Sequence, residues 1–355
     1  MNLNLKEIAQ EIQNRTKIPT FERGIEMILS GVISFGEIWP IIRYSKQPIK
    51  VVQETLKLLK EKDILKFQRG EIKITEKGKK WIKDLKIVKI FRPECKKCQG
   101  RGINYQFDKK LYQQFLKIQK QRPAPIRAYS QGYVTPETTI ARVLLARAKG
   151  DLSNKKIAVL GAEDDLLGLA LALTKKPKSV LVLDIDKRLI EYDNFWAKKL
   201  NLSLKAEVFD LRKPLDKNLI GKFDTFFTDP PETVSAIKGF ILKGVATLKA
   251  PGCAGYFGFT LEDSSLNKWL KLQKILNDNR LVITEILPDF NEYENFEYLD
   301  QTPAFTESPA RQSPSGIWYV SHWYRIVTMP GFKRINLDLR KAGKRIYQDI
   351  EAATD

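Results

Sequence analysis

Strand-like apolar runs alternate with helical stretches from Lys155 onward, and this alternation constrains the fold more than any other feature. Seven runs have strand character: IAVLG, SVLVLDID, KAEVFD, FDTFFTD, CAGYFGF, LVITEILP and GIWYVSHWYRIV. The intervening helical stretches cover residues 165–174, 187–200, 232–248 and 266–277. Strands that alternate with helices form parallel, doubly wound sheets. The sequence therefore predicts an α/β, Rossmann-like domain over residues 151–330, followed by a tail or helix over 331–355.

The first strand ends in Gly161-Ala162-Glu163-Asp164-Asp165. A dinucleotide-binding fold requires Gly-x-Gly-x-x-Gly here, so that backbone amides and a helix dipole meet a phosphate. Three carboxylates would repel a pyrophosphate, which argues against NAD and ATP. A positively charged adenosyl sulfonium, held partly by Gly161, suits this position.

Further acids follow the second and third strands, where such folds bind nucleosides. Asp184 closes the second strand, and an acid there can accept both ribose hydroxyls. Asp186 lies two residues on and would face the same way, and Asp210 ends the third strand, near the expected adenine. We predict that all three bind the co-substrate. The alternative for each is an N-cap on the next helix, because Asp is favoured there.

Asp229-Pro230-Pro231-Glu232 follows the fourth strand and is similar to the Asp/Asn-Pro-Pro-aromatic signature of amino-methyltransferases. In that signature the first residue and a proline-fixed carbonyl bind the target nitrogen, and the aromatic stacks on a flipped base. Here Glu232 replaces the aromatic, and a carboxylate suits an aliphatic ammonium group. We therefore expect a polyamine rather than a base as the substrate of Asp229 and Glu232, with Pro230 beside the co-substrate.

The segment 281–310 is purely acidic in a basic chain. The chain has 61 Lys and Arg against 42 Asp and Glu, a net charge of +19, yet this segment has seven acids and neither Lys nor Arg. Interleaved acids and aromatics suit a cation with methylene spacers. We expect a mobile loop over residues 285–310 that orders over substrate; a solvated surface loop is the alternative. Its predicted substrate contacts are Glu292, Tyr293, Glu294 and Glu297, and its other aromatics are Phe290, Phe296 and Tyr298.

Residues 1–88 have the pattern of a winged helix: several short helices, then two strands around Gly70. Lys57, Lys60 and Lys62 lie on or beside the last long helix. Such modules bind DNA, form dimers or act as lids, and the sequence leaves these roles open.

Residues 89–150 form a connector with helices and Cys95-Lys-Lys-Cys98. The pair is half of a zinc ribbon, and Cys253, His322 or another subunit are candidates to complete it; two ordinary thiols are the alternative. Gln131, in a turn-rich stretch, is a further candidate substrate contact.

No apolar run is long enough to span a membrane, and the N-terminus has no signal-peptide pattern, so we expect a cytoplasmic protein. Its positive charge has two interpretations, a nucleic-acid partner or a Lys-rich thermophile composition.

These features together resemble the branched-chain polyamine synthases of archaea and thermophilic bacteria, across essentially the whole chain. The Gly-Asp-Asp-Asp motif of that family corresponds to Ala162-Glu163-Asp164-Asp165, and Asp-Pro-Pro-Glu is unaltered. The resemblance implies a class I adenosylmethionine-dependent transferase fold. It also implies aminopropyl transfer from decarboxylated S-adenosylmethionine to spermidine, with Asp164 catalytic and Glu163 and Asp165 binding substrate. A homodimer is expected.

Two other functions remain open from the residues alone. A nucleic-acid amino-methyltransferase would explain the winged helix, the positive charge and the Asp-Pro-Pro run. A transcriptional regulator would use the α/β domain to sense a polyamine or nucleoside without turnover.

Overall fold

The computed structural model describes residues 4–92, 95, 98, 100–161 and 165–354. Its N-terminal part contains four helices, a two-stranded antiparallel hairpin and a fifth helix, as a winged-helix pattern predicts. The elements are α1 (Leu5–Thr16), α2 (Glu22–Ser34), α3 (Ile38–Ser45), α4 (Ile49–Glu61), β1 (Leu65–Gln68), β2 (Glu71–Ile74) and α5 (Glu76–Asp84).

Two connector helices precede an alternating series of strands and helices. These are α6 (Lys109–Gln119), α7 (Pro136–Ala148), β3 (Lys156–Leu160), α8 (Leu167–Leu173), β4 (Ser179–Asp184), α9 (Lys187–Leu200), β5 (Leu204–Val208), β6 (Thr225–Thr228), α10 (Val234–Thr247), β7 (Ala254–Phe259), α11 (Leu266–Asp278), β8 (Leu281–Glu292), α12 (Pro303–Thr306) and β9 (Val320–Thr328).

The seven later strands form one sheet in the order β5-β4-β3-β6-β7-β9-β8. The first five are parallel, and β9 runs antiparallel between β7 and β8. The chain order reverses between β3 and β6, which opens a crevice at the carboxyl ends of the strands. The prediction of a seven-stranded, Rossmann-like α/β sheet is confirmed.

Helix α4, which carries Lys57 and Lys60, buries one face against other parts of the chain. Eight of its residues are buried. Gln53 Nε2 donates to the Ala304 carbonyl at 2.9 Å, and the Ile49 amide donates to the Glu262 carbonyl at 2.8 Å. One hydrophobic cluster joins this helix to Tyr293, Trp318 and other residues of the later chain. The buried face of this helix is therefore used for packing within the chain. The division of the chain into domains at residues 88 and 150 stays a prediction.

The acidic segment differs from the expected loop. Strand β8 continues through Glu292, so the first acids of the segment lie on a strand, with a bulge where Asp289 has φ +51°. The Phe290 ring is buried in the core beneath the sheet rather than in a substrate site. Only the part beyond Glu292 is irregular, and it includes a short 3₁₀ helix and α12. The alternation of acidic and apolar residues at the start of this segment is therefore the pattern of a strand at the edge of the sheet.

The C-terminal residues pack against earlier parts of the chain. A kinked 3₁₀ helix spans Arg340–Ile346, and Ile346 is buried near α10. Farther on, the Ala353 carbonyl accepts a hydrogen bond from the Ala304 amide at 2.8 Å. Among the described residues, no helix is long and apolar enough to cross a membrane.

Candidate active site

Two neighbouring pockets open at the carboxyl ends of β3, β4, β5 and β6, and they share Ser130, Asp229 and Pro231. The strand-end pocket lies toward β4 and β5, and it is lined by Tyr129, Ser130, Gln131, Gly161, Asp184, Ile185, Phe209, Asp210, Leu211, Arg212, Asp229, Pro231, Phe240 and Tyr347. The aromatic pocket lies toward the acidic segment, and it is lined by Ser130, Gly132, Asp229, Pro230, Pro231, Glu232, Tyr293, Phe296, Tyr298, Tyr319 and Thr354.

Gly161 lines the strand-end pocket at the turn that follows β3. Its φ of +59° is a conformation that residues with a side chain rarely adopt. A Cβ atom there would lie 2.9 Å from the Phe240 ring and 3.0 Å from a Leu211 methyl group. Glycine is thus required both by the turn after β3 and by the apolar side chains that close over it. The result is a concave surface with ring and methyl walls, of the kind that accepts a flat heterocycle.

Asp184 and Asp186 have different positions although they are two residues apart. The Asp184 side chain lines the strand-end pocket, and its Oδ1 accepts the Asp186 amide at 2.9 Å. Asp186 caps α9, since its Oδ1 accepts the Arg188 amide at 2.9 Å. Its Oδ2 accepts from Arg188 Nη2 at 2.7 Å and from Gln131 Nε2 at 3.0 Å. Burial opposes ionisation of Asp186, but these donors hold its pKa below the usual value.

Asp210 lies at the wall of the strand-end pocket, in a planar pair with Arg212. Its two oxygens accept from Arg212 Nε and Nη2, each at 2.9 Å. These hydrogen bonds lower the pKa of the Asp210 carboxyl despite its partial burial. The pairing fixes the carboxylate at the pocket wall, so hydrogen-bonding a ligand there requires no further ordering of this side chain.

The buried guanidinium of Arg142 connects the first and fourth strand ends. Its Nη1 lies 2.7 Å from Asp165 Oδ2, and its Nη2 lies 2.7 Å from Asp229 Oδ2. Nε donates to Asn291 Oδ1 at 2.9 Å, and the guanidinium stacks 4.2 Å above the Trp323 ring. Burial raises the pKa of Asp165 to about 6 even beside this cation. Asp165 also accepts the Val134 amide at 2.7 Å, so it is occupied by internal partners and lines neither pocket.

Asp229 stands where the two pockets meet and is held in place by two donors. Besides Arg142, the Tyr293 hydroxyl donates to Oδ2 at 2.9 Å. Burial, followed by the nearby Asp229 charge, raises the Tyr293 pKa well above its usual value, so this phenol remains a donor at neutral pH. Gly258 lies behind the carboxylate, where a Cβ atom would be only 2.1 Å from Oδ1. These neighbours fix the carboxylate at the boundary between the pockets.

Glu232 brings a carboxyl group to the aromatic pocket, and among the described residues no cation lies within ion-pair distance of it. Its described side-chain hydrogen bond is from the Ser264 hydroxyl at 3.3 Å, and Lys268 donates to its backbone carbonyl rather than to its carboxylate. Burial and then repulsion from Asp263 raise the Glu232 pKa well above the usual value, although the nearby Lys268 charge opposes the shift. An incoming ammonium group would add positive charge beside this carboxyl group. Tyr293, Phe296, Tyr298 and Tyr319 surround this position with ring faces.

The other predicted substrate contacts of the acidic segment are less accessible or lie elsewhere. Glu292 forms ion pairs with Arg43 at 2.7 Å and with the buried Arg101, and it ties α3 and the connector to β8. Glu294 pairs with Arg122 at 3.1 Å. Glu297 is exposed and lines a separate surface depression rather than the aromatic pocket. Substrate contact by these three residues stays a prediction, and the same holds for Gln131, which lines the strand-end pocket.

The roles of two further groups of predicted residues stay predictions. Ala162, Glu163 and Asp164 lie outside the described residues. Cys95 is exposed, Cys98 is half-buried and Cys253 is buried. Within the described ranges, no three His, Cys, Asp or Glu side chains form a group that would hold a metal ion.

Several residues that line the two pockets or support them were not predicted from the sequence. Arg142 was part of an ordinary helical stretch, and nothing in its local pattern marks it. Tyr319 precedes β9 and faces the aromatic pocket, while Phe209 is adjacent to Asp210 in the run KAEVFD. The position of Phe209 beside a strand-end acid was a usable signal. Thr354 offered none, since it reaches the pocket only because the C-terminal residues fold back.

The chain is similar to known proteins over nearly its whole length. It is 41% identical to N(4)-bis(aminopropyl)spermidine synthase of Thermococcus kodakarensis over 99% of this chain and 100% of that one. It is 39% identical to the enzyme of the same name from Methanocaldococcus jannaschii over the same shares.

A solved structure supports the same relationship. The branched-chain polyamine synthase of Thermus thermophilus, in complex with N4-aminopropylspermidine and 5′-methylthioadenosine, matches with a TM-score of 0.91 and 34% identity. The match covers 99% of this chain and 98% of that one. Residues 110–354 also match the family model of the branched-chain polyamine synthase A C-terminal domain. On the identity, the coverage and the strand-end acids together, this chain belongs to the branched-chain polyamine synthase family.

Proposed function

We propose that this chain transfers aminopropyl groups from decarboxylated S-adenosylmethionine to the secondary amine of spermidine. The products are N(4)-aminopropylspermidine, then N(4)-bis(aminopropyl)spermidine, with methylthioadenosine released at each transfer. The observation that carries the proposal is the junction of the two pockets at Asp229. A nucleoside fits the strand-end pocket, and a polyamine fits the aromatic pocket, so the donor carbon and the acceptor nitrogen would meet at the shared wall.

The strand-end pocket matches the donor in shape and charge. Asp184 and Asp210 offer carboxylate oxygens to ribose and adenine, and Phe209 and Phe240 offer ring surface. The pocket has no glycine-rich turn for a pyrophosphate, and its acids disfavour one. The donor carries a sulfonium and an ammonium group and has no carboxylate, so its charge is complementary to these acids. We assign no NAD or ATP to the reaction.

The reaction is an in-line displacement. The N4 lone pair attacks the carbon attached to sulfur, the C–S bond breaks, and the sulfonium becomes the neutral thioether of methylthioadenosine. Secondary amines are mostly protonated at neutral pH, so a proton must leave the nitrogen before attack. Asp164, which the family resemblance implies is catalytic, would hold the neutral amine in line and accept its remaining proton as the bond forms, which leaves a neutral tertiary amine. The second transfer uses a neutral tertiary amine and yields a quaternary ammonium, so no proton leaves the nitrogen after the bond forms.

Glu232 and the aromatic residues would position the acceptor. Glu232 pairs with a flanking ammonium, and the rings of Phe296, Tyr298 and Tyr319 contact the methylene spacers and cations. Several ring faces in this pocket offer contacts to both a linear and a branched cation. Positioning of the two reactants at the Asp229 boundary supplies the alignment that an in-line displacement requires.

Mass spectrometry of the purified protein with decarboxylated S-adenosylmethionine and spermidine tests this proposal. We expect methylthioadenosine with one and then two aminopropyl additions to N4. The Asp164→Asn variant should lose turnover while retaining methylthioadenosine binding by calorimetry; full activity of this variant would remove Asp164 from the catalytic role. Methyl transfer from S-adenosylmethionine to a nucleic acid, without aminopropyl transfer, would instead establish the methyltransferase alternative. A homodimer, a cytoplasmic location and the division into winged-helix, connector and catalytic domains stay predictions from the sequence.

A further inference from the structure

A second charged cleft lies at the opposite edge of the sheet, where the central strands begin. It has a volume of about 310 Å³, and it is lined by Asn154, Lys156, Lys178, Lys222, Asp224 and Lys249. We call it the amino-edge cleft. Its four lysines face a single carboxylate, Asp224, and all four are exposed.

The topology of the sheet brings these lysines together. Lys156 is the first residue of β3, Lys178 immediately precedes β4, and Lys222 lies three residues before β6. Backbone hydrogen bonds hold the strand starts in register, from Lys178 N to Lys155 O and from Asp224 N to Lys156 O, each at 2.8 Å. Three chain segments that are distant in sequence thus place their ammonium groups at one cleft. A like-charged cluster of this kind is held by the fold rather than by mutual attraction.

Their positive charge is largely available to a partner. Lys249 Nζ forms an ion pair with Asp224, and Asp224 Oδ2 also accepts the Lys156 amide at 2.9 Å. Within the part of the chain that the structure describes, Lys156, Lys178 and Lys222 have no carboxylate within ion-pair distance. The cleft therefore retains an excess of positive charge that no internal group neutralises.

We propose that the amino-edge cleft binds the sugar–phosphate backbone of a double-stranded nucleic acid, without sequence preference. Exposed lysines on flexible stems neutralise phosphates along an extended chain. The lining has no arginine and no glycine-rich loop that would fix one small phosphate in a preferred geometry, which favours an extended polyanion over a free anion.

The distribution of charge favours the amino edge of the sheet as the face that meets a polyanion. The aromatic pocket and the acidic residues around it lie at the carboxyl ends of the strands, and they repel a polyanion. The five residues of β3 span roughly 17 Å at about 3.3 Å per residue, so a duplex at the amino edge leaves the catalytic pockets open. The site is thus distinct from that of a base-modifying enzyme, in which the nucleic acid must enter the catalytic pocket. It does not depend on the proposed aminopropyl transfer.

Fluorescence anisotropy with a labelled 20-bp DNA duplex, in polyamine-free buffer between 50 and 200 mM KCl, tests the proposal. The affinity of the wild-type protein should fall steeply with salt, by a slope of about 0.9 in log–log units per phosphate contact. Replacing Lys156, Lys178 and Lys222 together by Gln should weaken binding by at least about tenfold and reduce the slope by about three. The melting temperature and the aminopropyl transfer rate should remain those of the wild type.

A matched variant removes the same charge elsewhere. Lys57→Gln, Lys60→Gln and Lys62→Gln, at the end of α4, should leave duplex affinity and slope nearly unchanged. Loss of binding in this variant but not in the first would overturn the assignment, as would absence of duplex binding by the wild-type protein at 50 mM KCl. Calorimetry with inorganic phosphate is a further arm: stoichiometric phosphate binding, lost with the amino-edge lysines and without duplex binding, would make the cleft a small-anion site and reject the proposal.

Lysine footprinting of the wild-type protein tests the same proposal without any substitution. Lysines are acetylated with and without duplex and quantified by peptide mass spectrometry. Lys156, Lys178 and Lys222 should be protected at least about threefold, and Lys57 and Lys60 should not. Equal protection at both places, or protection at the aromatic pocket, contradicts the proposal.

Discussion

The guanidinium of Arg142 holds Asp229 at the junction of the two pockets, with Nη2 2.7 Å from Asp229 Oδ2. The same side chain binds Asp165, the last residue of the motif that follows β3. Arg142 is fully buried. The acid shared by the strand-end pocket and the aromatic pocket is therefore positioned by a cation from α7.

Arg142→Met should destabilise the protein by about 3–5 kcal/mol, because it leaves two buried carboxylates without their cation. Urea unfolding followed by circular dichroism measures this change. Arg147→Met, on the same helix but 40% exposed, should change stability by less than about 0.5 kcal/mol. Equal stability of the two variants would show that Arg142 does not carry the pairing energy inferred here.

Glu232→Gln should raise the KM for spermidine by at least about tenfold, since the carboxylate that meets the ammonium is lost. The affinity for methylthioadenosine should change by less than about twofold. Because the Glu232 pKa lies well above its usual value, spermidine binding by the wild type should weaken as the pH falls and this group becomes protonated. Steady-state kinetics between pH 6 and 9 checks both effects.

Glu297→Gln is the matched control for that experiment, since Glu297 is an exposed acid of the same segment outside the aromatic pocket. We expect its KM and pH profile to match those of the wild type. If Glu297→Gln raises the KM as much as Glu232→Gln does, general attraction by the acidic segment explains binding better than a specific ammonium site.

Asp184→Asn should reduce methylthioadenosine affinity by at least about tenfold, since the pocket loses an acceptor for ribose hydroxyls. Asp186→Ala removes the cap of α9 at a residue that does not line the pocket, and it should lower stability by about 1–2 kcal/mol with donor affinity nearly kept. Isothermal calorimetry and thermal unfolding separate the two outcomes. A larger loss of affinity in Asp186→Ala than in Asp184→Asn would restore the direct contact that the sequence pattern suggested.

The buried Glu262 should make stability fall as the pH rises. Burial raises its pKa from 4.5 to about 7, despite Lys46 at 3.7 Å. A carboxyl with a raised folded pKa favours the folded state while protonated, and this contribution is lost between about pH 4.5 and 7. Glu262→Gln should stabilise the protein by about 3 kcal/mol at pH 8 and by much less at pH 5.

Urea titrations of Glu262→Gln and the wild type at pH 5, 6, 7 and 8 measure this difference. The exposed Glu307→Gln serves as the control and should show no such dependence. A stabilisation by Glu262→Gln that is constant with pH would indicate a packing effect instead of removal of a buried charge.

Local patterns were sufficient to predict the seven strands, their helices and the acids that follow them. Strand and helix periodicities depend on near neighbours, and the strand ends are marked by a change from apolar to acidic residues. Asp184, Asp210, Asp229 and Glu232 were found for this reason. The winged-helix pattern was predicted similarly, whereas its docking through α4 was not visible, because Gln53 and Ile49 bond to residues more than 200 positions away.

The sequence by itself thus determined the sheet, the family and the acidic character of the strand ends. Only the tertiary structure decided which acids remain available to a ligand. Asp165 and Glu292 are chemically similar to Glu232, yet Arg142, Arg101 and Arg43 neutralise the first two and none of these arginines reaches Glu232. The partners lie 23 to 249 residues from the acids they bind. A carboxylate's availability depends on burial and on counter-ions brought by the fold, and neither is written in its local sequence.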